Sequence, residues 1–149
     1  MTTMRRLTIS IFVMAFALTL CGGAKDEPVG ELKSRVESAR PDDRPGICIQ
    51  IAHQQLLNAD KLYNDGQIEQ ARAAVDDIVI YSEKARDSAA QTKKHQKNVE
   101  IAVRKISEKL RDIKRTLAFE DQPPVEQAIK RLEDIRTALL KEMFSKDKK

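Results

Sequence analysis

From Gln67 to Gln122 the chain carries neither glycine nor proline. One stripe runs through most of that span with strict 3-4 spacing: Ile68, Ala71, Val75, Ile78, Ser82, Ala85, Ala89, Thr92, Gln96, Val99, Val103, Ile106, Leu110, Ile113 and Leu117. Twelve of these fifteen positions are apolar, and the register never slips. Such a pattern is the signature of an amphipathic helix. It predicts one long central helix at about 67–119, extending about 80 Å at 1.5 Å per residue. The polar members Ser82, Thr92 and Gln96 sit near its middle, around the lysine-rich stretch 91–98. A compact four-helix bundle with a break near 92–97 is the alternative architecture.

Shorter helices are predicted on either side. The first runs from Pro45 or Gly46 to Asn64, with Asp42 or Asp43 placed to cap it and Pro45 suited to a first turn. Its apolar face is Cys48, Ile51, Ala52, Leu56, Ala59, Leu62 and Tyr63. Asn64-Asp65-Gly66 ends it, because glycine takes the left-handed conformation at a helix terminus. The short connection folds the next helix back antiparallel. At the other end, Pro123 and Pro124 stop the long helix and open a last one, with Val125, Ala128, Ile129, Leu132, Ile135, Leu139, Leu140 and Met143 on one face. The fold class is therefore all-α: a central helix with a shorter antiparallel helix folded onto each half, over a helical domain at 44–144. Residues 25–43 read mainly as a flexible spacer with room for a short helix near Glu31–Ala39, and 145–149 as a frayed tail.

The segment Ala59-x-x-Leu62-Tyr63-x-x-Gly66-x-Ile68-Glu69-x-Ala71, followed by Val75, resembles the turn and flanking helices of a tetratricopeptide repeat. In that family small residues let two helices pack closely, and stacked repeats form a peptide-binding groove. The resemblance covers about 25 residues and occurs once, whereas stable arrays need at least three repeats. The proline expected early in the 80s is replaced by Glu83 and Lys84. A generic helical hairpin obeys the same small-residue logic.

Residues 1–24 read as a targeting segment. Arg5 and Arg6 precede the 14-residue, largely apolar run Leu7–Leu20, and Cys21-Gly22-Gly23-Ala24 supplies small residues for cleavage. That run is shorter than the about 20 residues a spanning helix needs. Leu18-Thr19-Leu20-Cys21-Gly22 resembles the lipobox of bacterial lipoproteins, although Leu20 stands where a small residue is usual. The resemblance implies a lipidated Cys21 and a membrane tether. Ordinary cleavage after Ala24 is the other route. An exported chain follows from either, periplasmic or anchored on the periplasmic or outer side. Both routes leave Cys48 as the only thiol outside the leader, which excludes an internal disulfide.

Charge adds little drive toward nucleic acid. Without its leader the chain carries 25 Lys and Arg against 23 acids, a net charge of +2, and the whole protein has four Phe, two Tyr and no Trp. No basic stripe interleaves with stacking aromatics, so a nucleic-acid partner is rejected. His53 and His95 are badly placed for a metal: the first is five residues from Cys48, the second among Lys93, Lys94 and Lys97. Neither a phosphate loop nor a nucleophile motif is found, and no cofactor or catalytic residue is expected. The pairs Glu100/Arg104, Glu108/Arg111 and Asp112/Arg115 read as solvated helix-surface charges.

These features point to a non-enzymatic interaction or scaffold protein of the cell envelope. Its partner would be another protein or a second copy joined in coiled-coil fashion. The candidate surface is the seam Ser82, Ala85, Ala89, Thr92, Gln96 and Val99, with the elbow at Tyr63, Gly66 and Ala71 as a second element. The alternative is a ligand- or anionic-polymer-binding protein using Lys93, Lys94 and Lys97.

Overall fold

The long stripe turns back on itself between Thr92 and Gln96. In the computed structural model, which describes residues 27–145, five α-helices and no strand are present among the described residues. They are α1 (Val29–Ser38), α2 (Arg44–Asn64), α3 (Ile68–Thr92), α4 (Gln96–Thr116) and α5 (Gln122–Ser145), with one 3-10 turn at Phe119–Asp121 before α5. The single helix expected at 67–119 is thus two helices, and the bundle alternative holds. The expected leader, with Cys21, lies outside the described residues.

Magnitudes explain the corner. Lys93 and His95 both adopt left-handed backbone, with φ of 56° and 63°. That costs a non-glycine residue about 1–2 kcal/mol each. Folding α4 back buries Val99, Val103, Ile106, Leu110 and Ile113, none more than 3 % exposed. Full burial of such a side chain contributes roughly 1.5–3 kcal/mol. In a straight rod much of that stripe would face water, so burial outweighs strain. The unbroken phase is no obstacle, since both helices turn their stripes to the same core.

Thr92, polar on the stripe, secures the exit from α3. Its hydroxyl donates to the Ser88 carbonyl at 3.0 Å and accepts from the Lys94 backbone N–H at 3.4 Å.

Four helices alternate in direction. The α2–α3 hairpin turns at Gly66, whose φ of 72° suits glycine. The α4–α5 hairpin packs beside it, with α3 against α5 and α2 against α4. The core gathers Ile51, Ala59, Ile78, Ala85, Leu110, Leu132 and Leu139 from all four helices. Much of the apolar face expected for α2 is buried, Cys48 included, and so is that of α5 from Val125 to Leu139.

Three local expectations are corrected. The short helix allowed for near Glu31–Ala39 begins earlier, at Val29, and is docked rather than part of a loose spacer: Leu32 and Val36 of α1 are 1 % and 5 % exposed against the core. Val29 at its start and Ala39 just past its end pack against the same core. Asp43 stands at the N-cap of α2 without a capping hydrogen bond. Its carboxylate instead accepts from Arg40 Nε at 2.9 Å. Finally, Glu100 and Arg111 do not pair along α4. Glu100 accepts from Arg136 Nε, and Arg111 donates to Glu133, both at 2.7 Å across the α4–α5 interface. Asp112–Arg115 does form along the helix, at 3.2 Å.

Candidate functional site

Beside the core face of α2 runs a second stripe, Ile49, His53 and Leu57, spaced four apart, of which Ile49 still packs against the core edge. Spacing of four places them on one side of the helix. Ile49 is half-buried, and Leu57 is 53 % exposed. This side of α2 is the floor of a groove. One wall is α1 and its C-cap, through Leu32, Arg35, Ser38 and Ala39; the other is α4 and its N-cap, from His95 and Asn98 through Ala102 to Lys105 and Lys109.

The groove exists because α1 leans toward α3, away from α4. Lys33 Nζ lies 2.6 Å from the Asp77 carboxylate. Lys33 and Lys84 also stand over the Tyr81 ring, at 5.5 and 5.0 Å from its centroid. Lys84 reaches Glu37 at 3.6 Å. These contacts are all on one flank of α1. The opposite flank, carrying Arg35 and Ser38, overhangs α2, where Arg35 donates to Gln50 Oε1 at 3.3 Å between two openings. Two cavities of about 650 and 810 Å³ follow one another there, sharing Arg35, Ile49 and Gln50. Ligand sites commonly occupy about 300–1,000 Å³.

Electrostatically the groove is not neutral. Each acid that lines it is already engaged: Glu27 by Arg35, Asp42 by Lys94 at 2.6 Å, and Asp43 by Arg40. Among the described residues neither Lys105 nor Lys109, at the lower mouth, forms an ion pair. The Lys94 hydrogen bond and charge hold the Asp42 carboxyl below its ordinary value. The groove thus offers an apolar floor of Ile49 and Leu57, a low wall at Ala102, and two lysines outside any ion pair at one end.

The residues expected as a docking seam lie elsewhere. Ser82, Ala85, Ala89, Gln96 and Val99 are buried within the chain's own bundle, as are Tyr63 and Ala71 at the elbow. Only Gly66 is exposed, and Thr92 partly. A surface spent on internal packing is not available to a second copy, so the seam is withdrawn as an interface. Of these residues Val99 alone reaches the groove, at its upper cavity.

Lys93, Lys94 and Lys97 are exposed at the corner, with Lys94 committed to Asp42. Cys48 and His53 point to different places. The thiol is buried beside Val36 and Lys84, where burial pushes its pKa up to about 11, while His53 faces the groove. Among the described residues no three His, Cys, Asp or Glu side chains come together as a metal site. None of their helices is long and apolar enough to cross a membrane. Comparison with protein-family models, curated proteins and solved structures finds no match to this chain.

Proposed function

We propose that the chain is a non-enzymatic binding module of the cell envelope, which holds a protein partner along the α1–α2–α4 groove. One observation carries this reading. A bundle that buries most of its central stripe still leaves Ile49, Leu57 and Ala102 lining a channel. A concave channel with apolar side chains and a few polar groups on its lining is the ordinary form of a binding site. Export rests on the sequence: Arg5 and Arg6, the apolar run Leu7–Leu20 and the small residues after it. A lipid on Cys21 would add a membrane tether.

Site-specific photocrosslinking in the intact envelope tests the reading. A benzophenone side chain at Gln50 or Leu57 is expected to give discrete protein adducts, and one at the exposed Asp134 of α5 none. Gly46→Phe should abolish the adducts, because a side chain at Gly46 enters open space at the upper end of the groove. Equal labelling from all three positions, or none from the groove, ends the proposal.

A second reading draws on the corner itself. Lys93 and Lys97 are exposed and form no ion pair among the described residues. On this reading they meet an anionic polymer or lipid surface. Replacing Lys93, Lys94 and Lys97 with glutamine would then abolish binding to anionic vesicles, while groove adducts persist.

A further inference from the structure

The groove has a definite length, floor and polarity. At 1.5 Å per residue, α2 from Gly46 to Leu57 covers about 17 Å, and α4 from His95 to Lys109 about 21 Å. The floor is apolar at Ile49 and Leu57, two helical turns apart. Gln50 and His53 lie between them, and Ala102 leaves the α4 wall low. A trough of this length between two helical walls has the form of a helix-in-groove site, and its occupant takes the place of the Arg35–Gln50 hydrogen bond that crosses it at 3.3 Å. It is the position a further helix would take beside α2.

Charge selects the occupant. Glu27, Asp42 and Asp43 have their cations in place, so they do not call for a basic ligand. Lys105 and Lys109 are one turn apart on the α4 wall, and no acid of the described residues answers them. Acidic side chains also favour the first turn of their own helix, where they meet the positive end of its dipole. Resting on the binding-module reading, we infer that the groove takes an amphipathic helix of about 12–14 residues from a partner protein. Its apolar face lies on Ile49, Leu57 and Ala102, and its acidic first turn lies against Lys105 and Lys109. The partner helix then runs antiparallel to α2 and α4, both of which start at the other end of the groove.

A matched pair of synthetic peptides tests this with the full chain. Each has 14 residues with leucine at helical 3-4 spacing; one carries three glutamates in its first turn, the other three lysines there. Fluorescence anisotropy is expected to show the acidic peptide binding at least tenfold more tightly. The double variant Lys105→Glu, Lys109→Glu should reverse that preference, and Gly46→Phe should weaken the acidic peptide at least tenfold. Unchanged circular dichroism and an unreactive Cys48 confirm that the variants are folded. The neutral dye Nile red separates the two levels of the proposal. Dye fluorescence that depends on Gly46, with no preference between the peptides, overturns the acidic helix and keeps the binding module. Dye and peptides both indifferent to Gly46→Phe overturn both.

Discussion

Lys94 Nζ lies 2.6 Å from a carboxylate oxygen of Asp42, 52 residues away in the chain. The contact ties the α3–α4 corner to the turn between α1 and α2, at the upper end of the groove. Sixty per cent of the lysine side chain and 48 % of the aspartate are exposed, so water and salt screen the pair.

That pair should govern local opening rather than global stability. Lys94→Met and Asp42→Asn are each expected to speed hydrogen exchange of the amides at Lys93–Gln96 by a few-fold, with no further gain in the double variant. Asp42 has its carboxyl lowered, chiefly by the Lys94 hydrogen bond. Its contribution is therefore present above the ordinary carboxylate value and lost as pH falls through the lowered one. The difference between variant and parent should vanish at acid pH and in 1 M salt. Identical exchange in all four proteins at neutral pH would show that the clamp does nothing.

The corner itself makes a prediction about sign. Glycine in the interior of a helix costs about 1 kcal/mol relative to alanine, whereas at a left-handed position it relieves strain. Lys93→Gly and His95→Gly are expected to raise stability to urea by about 0.5–1 kcal/mol each. Lys93→Val should lower it, because a β-branched side chain tolerates positive φ poorly. Destabilisation by both glycine variants would mean that the helix runs straight through.

Cys48 reports on whether α1 stays docked. The thiol is 1 % exposed, and Val36, Glu37, Arg44 and Lys84 surround the small cavity beside it. Burial raises its pKa to about 11, so at neutral pH it is both covered and protonated. Labelling by a disulfide reagent, mapped to the Cys48 peptide by mass spectrometry, should be slow in the folded chain. Leu32→Ala with Val36→Ala removes the two anchors of α1 and should accelerate labelling at least tenfold. If the parent protein labels at the rate of a free thiol, α1 is a loose arm after all.

The stripes of α2, α3, α4 and α5 were legible because core burial imposes a 3-4 spacing that survives any connection between helices. The corner was not. Its only marks were Thr92 and Gln96 on the stripe and three lysines around them. No glycine or proline announces it, and the chain uses Lys93 and His95 in the left-handed region instead. The corner also decides the fate of the seam: a rod would expose it, and a bundle buries it. The groove was half visible. Ile49 and Leu57 are apolar residues off the main stripe of α2, four residues to either side of His53. What the sequence could not supply was the lean of α1 toward Asp77 and Tyr81, which leaves that second stripe uncovered. The α4–α5 charges were misassigned for a related reason. Pairs within one helix are visible in a sequence, but Glu100 and Arg111 find closer partners on a neighbouring helix.

Those cross-helix charges set the response to acid. Glu133 accepts from the Ser107 hydroxyl at 2.8 Å and from Arg111 at 2.7 Å. The Ser107 hydrogen bond first, then Arg111, holds its carboxyl below the ordinary value of 4.5. A lowered folded pKa stabilises the fold fully above the unfolded value and ceases to do so as pH falls through the folded one. Glu133→Gln should therefore lower the urea midpoint at pH 7 and converge on the parent as the pH falls through the lowered value. The side chain is 37 % exposed, so screening limits the neutral-pH effect to about 0.5–1 kcal/mol. Ser107→Ala gives an independent readout, since removing the first donor should move the Glu133 titration observed by NMR back toward its ordinary value. A gap between Glu133→Gln and the parent that stays constant from pH 7 down through the lowered value assigns the effect to packing. It would also show that the charge on Glu133 does not hold α5 to α4.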